Sequence, residues 1–335
     1  MPNRITTFLI AWVLCWAPLA AAAQPGQPGQ PAAPDAGKAA PATVVAPVIV
    51  QAAPTATPTV IEKESHTFVQ SHASAHNPEI DQIGRWYDPV CVQVVGLPDA
   101  KEAANIKARI ESVAQAVGVP AARAGCTANV EIVFTPYPQL TMDVVAKRKE
   151  YFLGYFHTHE RNRLKTVTHP IQSWYVTATR GEAVGSVALA FSMFASFNQQ
   201  QTEVIDDPDN QPPNGCADSR VSTSCLWSSF HNVFIVADSK ALQGKDLGLV
   251  ADYMVMLALS EPHSLDGCNG LASVIDAFAN SSCPGRAAPD GLTPADAAYL
   301  TALYQSDLRA KPESERYEIA QRMAKILVKA SAGAN

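Results

Sequence analysis

The sequence predicts an α+β domain: a mixed sheet with a crossover helix in its N-terminal half, then a mainly helical C-terminal part. Three observations carry this expectation. A strand-like run, an amphipathic helix and a second strand-like run succeed one another between residues 90 and 134. Two further strand-like runs lie at 171–179 and 231–238, and from residue 246 the apolar spacing is helical.

Ahead of these elements, residues 1–23 read as a secretory signal peptide. Arg4 stands near the start, the apolar run "FLIAWVLCWAPLAAAA" spans Phe8 to Ala23, and Ala21, Ala22 and Ala23 form a cleavage signature. The apolar run is too short, and too soon followed by Gln24 and prolines, to make a good membrane anchor. Residues 24–80 then read as a disordered Ala/Pro/Gln-rich tether, with the local repeat "QPGQPGQP", and a polar lead-in holding His66, His72 and His76. From Gln24 to about Pro58 the composition buries too little apolar surface to offset the entropy of ordering it. A single globular domain is expected over 83–330, and its length of about 245 residues suffices for one sizeable core.

Within the domain, "VCVQVVGL" (90–97) alternates and is β-branched, as a strand requires. In the next segment Ile106, Ile110, Val113 and Val117 share one helical face, and Gly118 closes it. "TANVEIVF" (127–134) is the second strand, and a right-handed crossover places it near the first. A helix is expected around 142–151, a strand at "IQSWYVTAT", a long polar insert after Phe197 and a strand at "HNVFIVAD". Helices follow at 246–259, 293–304 and 313–328. Thr293 caps the second of these, with Pro294 and Asp296 in its first turn. Ile319, Met323 and Leu327 form the inward stripe of the third.

The net charge is −6, or −7 once the leader is removed, which argues against nucleic acid as a partner. Outside the leader stand Cys91, Cys126, Cys216, Cys225, Cys268 and Cys283, an even set suited to disulfides in an oxidising compartment. Many connectivities are open to six cysteines; the reading adopted is sequential. Cys91 and Cys126 lead two neighbouring strands, and a bridge between Cys216 and Cys225 pins the polar insert. A periplasmic or secreted location follows, with an envelope or extracellular protein or ligand as partner and no stable membrane span.

The C-terminal third carries a further pattern in "VADYMVMLALSEP" (250–262), "SVIDAF" (273–278) and "LTPADAAYLTALY" (292–304). By length, by its "LAL" and by the order of these segments, it resembles the zinc proteases of the metzincin class. In that class a helix bears two histidines four apart and a glutamate beside the first; a third histidine and a methionine turn follow. The resemblance implies a zincin/metzincin-like fold. It also places Asp252 at the first ligand, Tyr253 at the general base, Met256 at the second ligand, Pro262 at the third and Ile275 at the turn methionine. One carboxylate and one thioether do not make a tetrahedral zinc site. Tyrosine, protonated near neutrality, cannot take a proton from bound water. The expectation is therefore an exported, non-catalytic binding or scaffolding protein without a cofactor. A bridge between Cys268 and Cys283 would anchor the turn that zinc no longer holds.

Chemistry elsewhere has one main candidate. His157, His159 and His169 flank a loop-rich passage and could hold zinc or copper, making the chain a metal-dependent hydrolase. Two weaker candidates are the oxygen-rich insert Asp206, Asp207, Asp209 and Asn210, suited to calcium, and the neighbouring Ser228, Ser229 and His231.

Overall fold

A computed structural model describes residues 57–75, 82–154, 162–181, 226–268, 270–307 and 312–333. The leader, most of the tether, His76, His157, His159, Cys216, Cys225 and the insert 206–210 lie outside the described residues.

Helix α1 (Pro58–His72) falls in the polar lead-in, where the sequence predicts no definite element. Ile61, Ser65, Phe68, Val69 and His72 turn inward at helical spacing, and the helix packs along the chain's last helix. Two of the five inward residues are polar, which concealed the stripe. Ser65 Oγ returns its proton to Ile61 O at 2.7 Å, and the His72 ring stacks on Phe68 with centroids 3.8 Å apart.

Strand β1 (Val92–Val95), helix α2 (Ala100–Ala116) and strand β2 (Val130–Thr135) form the expected unit, with β1 and β2 parallel and adjacent, Val92 opposite Val130. Asp99 caps α2 by accepting from Lys101 N at 2.8 Å. Ile106, Ile110 and Val113 bury the predicted face, each contributing about 1.5–3 kcal/mol by removal from water. Gly96, at φ 88°, closes β1 where any Cβ would run into Phe134 O.

Helix α3 (Pro138–Arg148) begins four residues earlier than expected, because Pro138 suits a first helical turn, and it stops at Lys149. A 3-10 turn, Glu150–Leu153, follows. Strands β3 (Ile171–Gly181) and β4 (Leu226–Asp238) pair antiparallel, with an irregularity between Val176 and Thr177. Strand β4 starts five residues before the expected "HNVFIVAD", since Ser228 and Ser229 are buried strand residues whose polarity masked them. The sheet order is β1-β2-β4-β3, with β4 parallel to β2 and β3 antiparallel at the edge.

Alternation along the strands divides the interior in two. Val130, Ile132, Phe134, Val233, Ile235 and Ala237 face the larger core, which takes in α1, α2 and the C-terminal helices. Val133, Phe234, Val236 and Trp174 face the smaller one, closed by Met142, Val145, Phe152 and Leu153. Helices α4 (Leu247–Leu259), α5 (Pro294–Gln305) and α6 (Pro312–Gly333) complete the chain. The Thr293 cap is a reciprocal box with Asp296, and Ile319, Met323 and Leu327 are buried as expected. Arg85, buried, donates to Leu303 O and to Ser306 Oγ and pairs with Glu315, tying the strand side to α5 and α6.

Candidate functional site

Helix α4 carries the positions at which the metalloprotease resemblance places chemistry. It is capped by Asp246, whose side chain accepts from Leu249 N at 2.9 Å, and is apolar nearly all round, so it runs through the core. Asp252 is its only charged residue. Its Oδ1 accepts from Arg109 Nε on α2 at 2.6 Å, and its Oδ2 accepts from Leu292 N at 2.8 Å, just before α5. Tyr253 and Met256 are wholly buried. The Tyr253 ring meets Phe278 edge-on at 5.0 Å, and burial raises its hydroxyl pKa far above the usual tyrosine value. Pro262 sits beyond the helix end, half-buried. Ile275 is buried in the 3-10 turn Val274–Phe278, which packs on α4.

The C-terminal end of α4 is held by its cap, Ser260, and by three aromatic donors from β3, α5 and the stretch before β1. The last carbonyls of a helix have no partner within it. Here Met256 O accepts from Ser260 N at 2.9 Å and Ser260 Oγ at 2.8 Å, and Leu257 O from Tyr175 OH at 2.9 Å. Ala258 O accepts from Trp86 Nε1 at 2.7 Å, and Leu259 O from Tyr304 OH at 2.8 Å. Each of the last four carbonyls of α4 thus has a donor.

Beneath the start of α5 lies a buried carboxylate. Asp296 accepts from Ser273 Oγ at 2.6 Å, Val274 N at 2.8 Å and Thr293 N at 2.9 Å, so it joins the 3-10 turn to α5. Burial pushes its pKa up to about 6 against those hydrogen bonds.

Of His157, His159 and His169, His169 alone lies among the described residues. Its Nε2 lies 3.0 Å from Asp266 Oδ2 and 2.9 Å from Asn280 Nδ2; its Nδ1 lies 2.8 Å from Thr168 Oγ1. In the tautomer with a proton on Nε2, that nitrogen donates to Asp266 and Nδ1 is the acceptor facing Thr168 Oγ1. Asp266 also accepts from Asn280 N at 2.7 Å. Its slight burial works against ionisation, but the bonds from Asn280 and His169 together hold its carboxyl below the ordinary range. The structure thus brings His169 together with Thr168, Asp266 and Asn280, a hydroxyl, a carboxylate and an amide around one imidazole. No group of three or more metal-ligating side chains occurs among the described residues. Of the other candidates, Ser228 and Ser229 are buried in β4, where Ser229 Oγ donates to Phe230 O, whereas His231 is exposed.

Cys91 is bonded to Cys126 and Cys268 to Cys283, as the sequential reading expects. Disulfides persist in oxidising compartments. No helix among the described residues is long and apolar enough to cross a membrane.

Comparisons with protein-family models, curated proteins and solved structures give no match.

What the sequence reading did not single out is the outer side of α3. Tyr137, Leu140 and Val144 are exposed there, with Tyr151 in the turn beyond. The signal was present: Leu140 and Val144 are four apart and lie across the helix from Met142 and Val145, so two apolar stripes share one short helix.

Proposed function

We propose that this chain is an exported, non-catalytic binding protein on a degenerate metalloprotease-like frame. One observation carries the reading: the residues at the ligand and base positions of α4 are committed to packing. Asp252 bridges α2 and the start of α5, and Tyr253 and Met256 are enclosed in the core. The frame is supported by the order of elements, in which a mixed sheet leads into α4, a turn packed against that helix and then a closing helix. The outward side of α3 supplies a surface for a partner.

The test is a cleavage assay on the purified exported chain with a mixed peptide pool, with added zinc and with chelator. The reading predicts no zinc-dependent cleavage in any arm. Cleavage that chelator stops and zinc restores would overturn it.

A second reading, a metal-dependent hydrolase using His157, His159 and His169, has one observation in its favour. The His169–Asp266 bond orients the imidazole as the outer-shell carboxylate of a metal-binding histidine does, leaving Nδ1 for a cation once Thr168 Oγ1 yields. Elemental analysis of the purified chain and of His169→Ala separates the readings. Stoichiometric zinc or copper lost in the variant favours the second.

A further inference from the structure

Helix α3 presents an apolar stripe to each side. Met142 and Val145 enter the smaller core. At about 100° per residue, Leu140 and Val144 lie on the opposite side. Leu140 is 62 % exposed and Val144 49 %; Tyr137, at the N-cap, is 60 % exposed, and Tyr151, in the turn beyond, 49 %. A solvated helix face normally carries polar residues there.

Cations gather around this stripe. Lys147 and Arg148 fall on the same outward side as Val144 and are exposed. Lys240 Nζ sits 4.3 Å from the centre of the Tyr137 ring, and Lys149 Nζ 5.6 Å from that of Tyr151. The stretch 163–167 runs beside the first turn of α3, pinned by Gln139 Nε2 to Lys165 O and by Val167 N to Gln139 Oε1, both at 2.9 Å; it brings Arg163 and Lys165. The acids here are Asp143, Glu150, Asp238 and, within electrostatic reach of Lys149 from β2, Glu131, against the six cations Lys147, Arg148, Lys149, Arg163, Lys165 and Lys240. Asp143 accepts from Gln139 at 2.9 Å, and Asp238 turns back to Lys240 N at 2.9 Å. In a chain with net charge −6 overall, this face is locally basic.

We infer that the outward face of α3 docks on an anionic lipid surface. The inference rests on the binding-protein reading and names the partner. Stable protein interfaces remove about 800 Å² from each partner and deplete charge at their centre. Here the apolar stripe is two aliphatic side chains between two tyrosines, with cations directly against it. That is the composition of a helix lying in the headgroup boundary. Leu140 and Val144 reach the acyl edge, the tyrosines sit at the polar interface, and Lys and Arg stems lie alongside with their charges on phosphates. The helix is eleven residues long, so it lies on a bilayer and does not cross one.

The experiment is co-sedimentation of the full chain with vesicles of phosphatidylcholine alone or mixed with phosphatidylglycerol. The Leu140→Glu/Val144→Glu and Lys147→Glu/Arg148→Glu variants run beside it. All three proteins share one N-terminus, so its apolar run contributes equally, and the altered residues are exposed, so circular dichroism should match. Each cation near an anionic surface strengthens partitioning by roughly fivefold. The chain is expected to partition at least about tenfold better onto anionic than onto neutral vesicles, with each variant losing about tenfold or more. The preference should shrink at about 1 M salt, where the Debye length falls to about 3 Å. Equal partitioning onto both vesicle types, or variants that partition like the parent, overturns the inference. So does capture of an acidic protein through these residues with no vesicle binding, which assigns the face to a protein partner. The peptide-cleavage outcome is independent of these results, so the two readings fail separately.

Discussion

Asp252 on α4 accepts a hydrogen bond from Arg109 Nε on α2 at 2.6 Å. Its second oxygen accepts from Leu292 N, so one carboxylate fastens three segments. The two side chains are 13 % and 23 % exposed, shielded enough for the pair to matter. Asp252→Ala is expected to lower stability by about 1–3 kcal/mol, because it strands a guanidinium and a backbone amide. Urea unfolding followed by tryptophan fluorescence measures this; an unchanged midpoint would show that the carboxylate is free for another role.

The capped end of α4 gives a second expectation. Tyr175→Phe and Tyr304→Phe each remove one hydroxyl and leave a carbonyl, Leu257 O or Leu259 O, without its donor. Each should cost about 1–3 kcal/mol. Thermal denaturation of the single variants tests it, and a loss below about 0.3 kcal/mol in both would mean that water replaces the donors.

Acid should act on α1 through His72. Burial drives its pKa down from 6.5 to about 4, against the opposing hydrogen bond to Phe68 O. The unfolded chain takes up this proton near pH 6.5, the folded chain only near 4. The neutral imidazole's contribution is therefore complete above pH 6.5 and is lost as pH falls through about 4. Asp296 runs the other way. Its raised pKa makes its contribution complete below pH 3.8 and lost as pH rises through about 6. In His72→Gln the denaturation midpoint should fall less between pH 7 and pH 4.5 than in the parent. Parallel falls in the two proteins would remove His72 from the account.

The disulfides carry a prediction of their own. The bridge Cys268–Cys283 spans 15 residues and Cys91–Cys126 spans 35. Replacing either pair by serines should cost about 3–4 kcal/mol in the chain-entropy model, slightly more for the longer loop. Peptide mapping without reductant should recover both linkages, and a different linkage would contradict the pairing.

Much of the fold was legible because its signals are local. The strand, helix, strand unit shows in the alternation of Val90–Leu97 and the spacing of Ile106, Ile110 and Val113, and Cys91 and Cys126 then fall at neighbouring strand ends. Thr293, Pro294 and Asp296 announce their helix by capping chemistry alone. What was not legible depends on distant partners. Helix α1 buries Ser65 and His72 only because α5 and α6, more than two hundred residues on, supply the other wall, with Tyr299 OH donating to His72 O at 2.8 Å. Ser228 and Ser229 fell outside the expected strand, and the pairing with β3 places them in it. At the candidate site the sequence identified which residues stand on α4 but not what holds them. Arg109, Leu292 and the three aromatic donors come from four separate segments. His169 was marked as a ligand candidate, while its partners Asp266 and Asn280 lie about a hundred residues away and share no spacing with it.

Asp252 works as a structural tie, and a double-mutant cycle between Arg109→Ala and Asp252→Ala reads that directly. Unfolding free energies of the parent, both single variants and the double variant are expected to give a coupling of about 1–3 kcal/mol, with no peptide cleavage by any of the four proteins. Additive losses, together with a chelator-sensitive cleavage that disappears in Asp252→Ala alone, would contradict it.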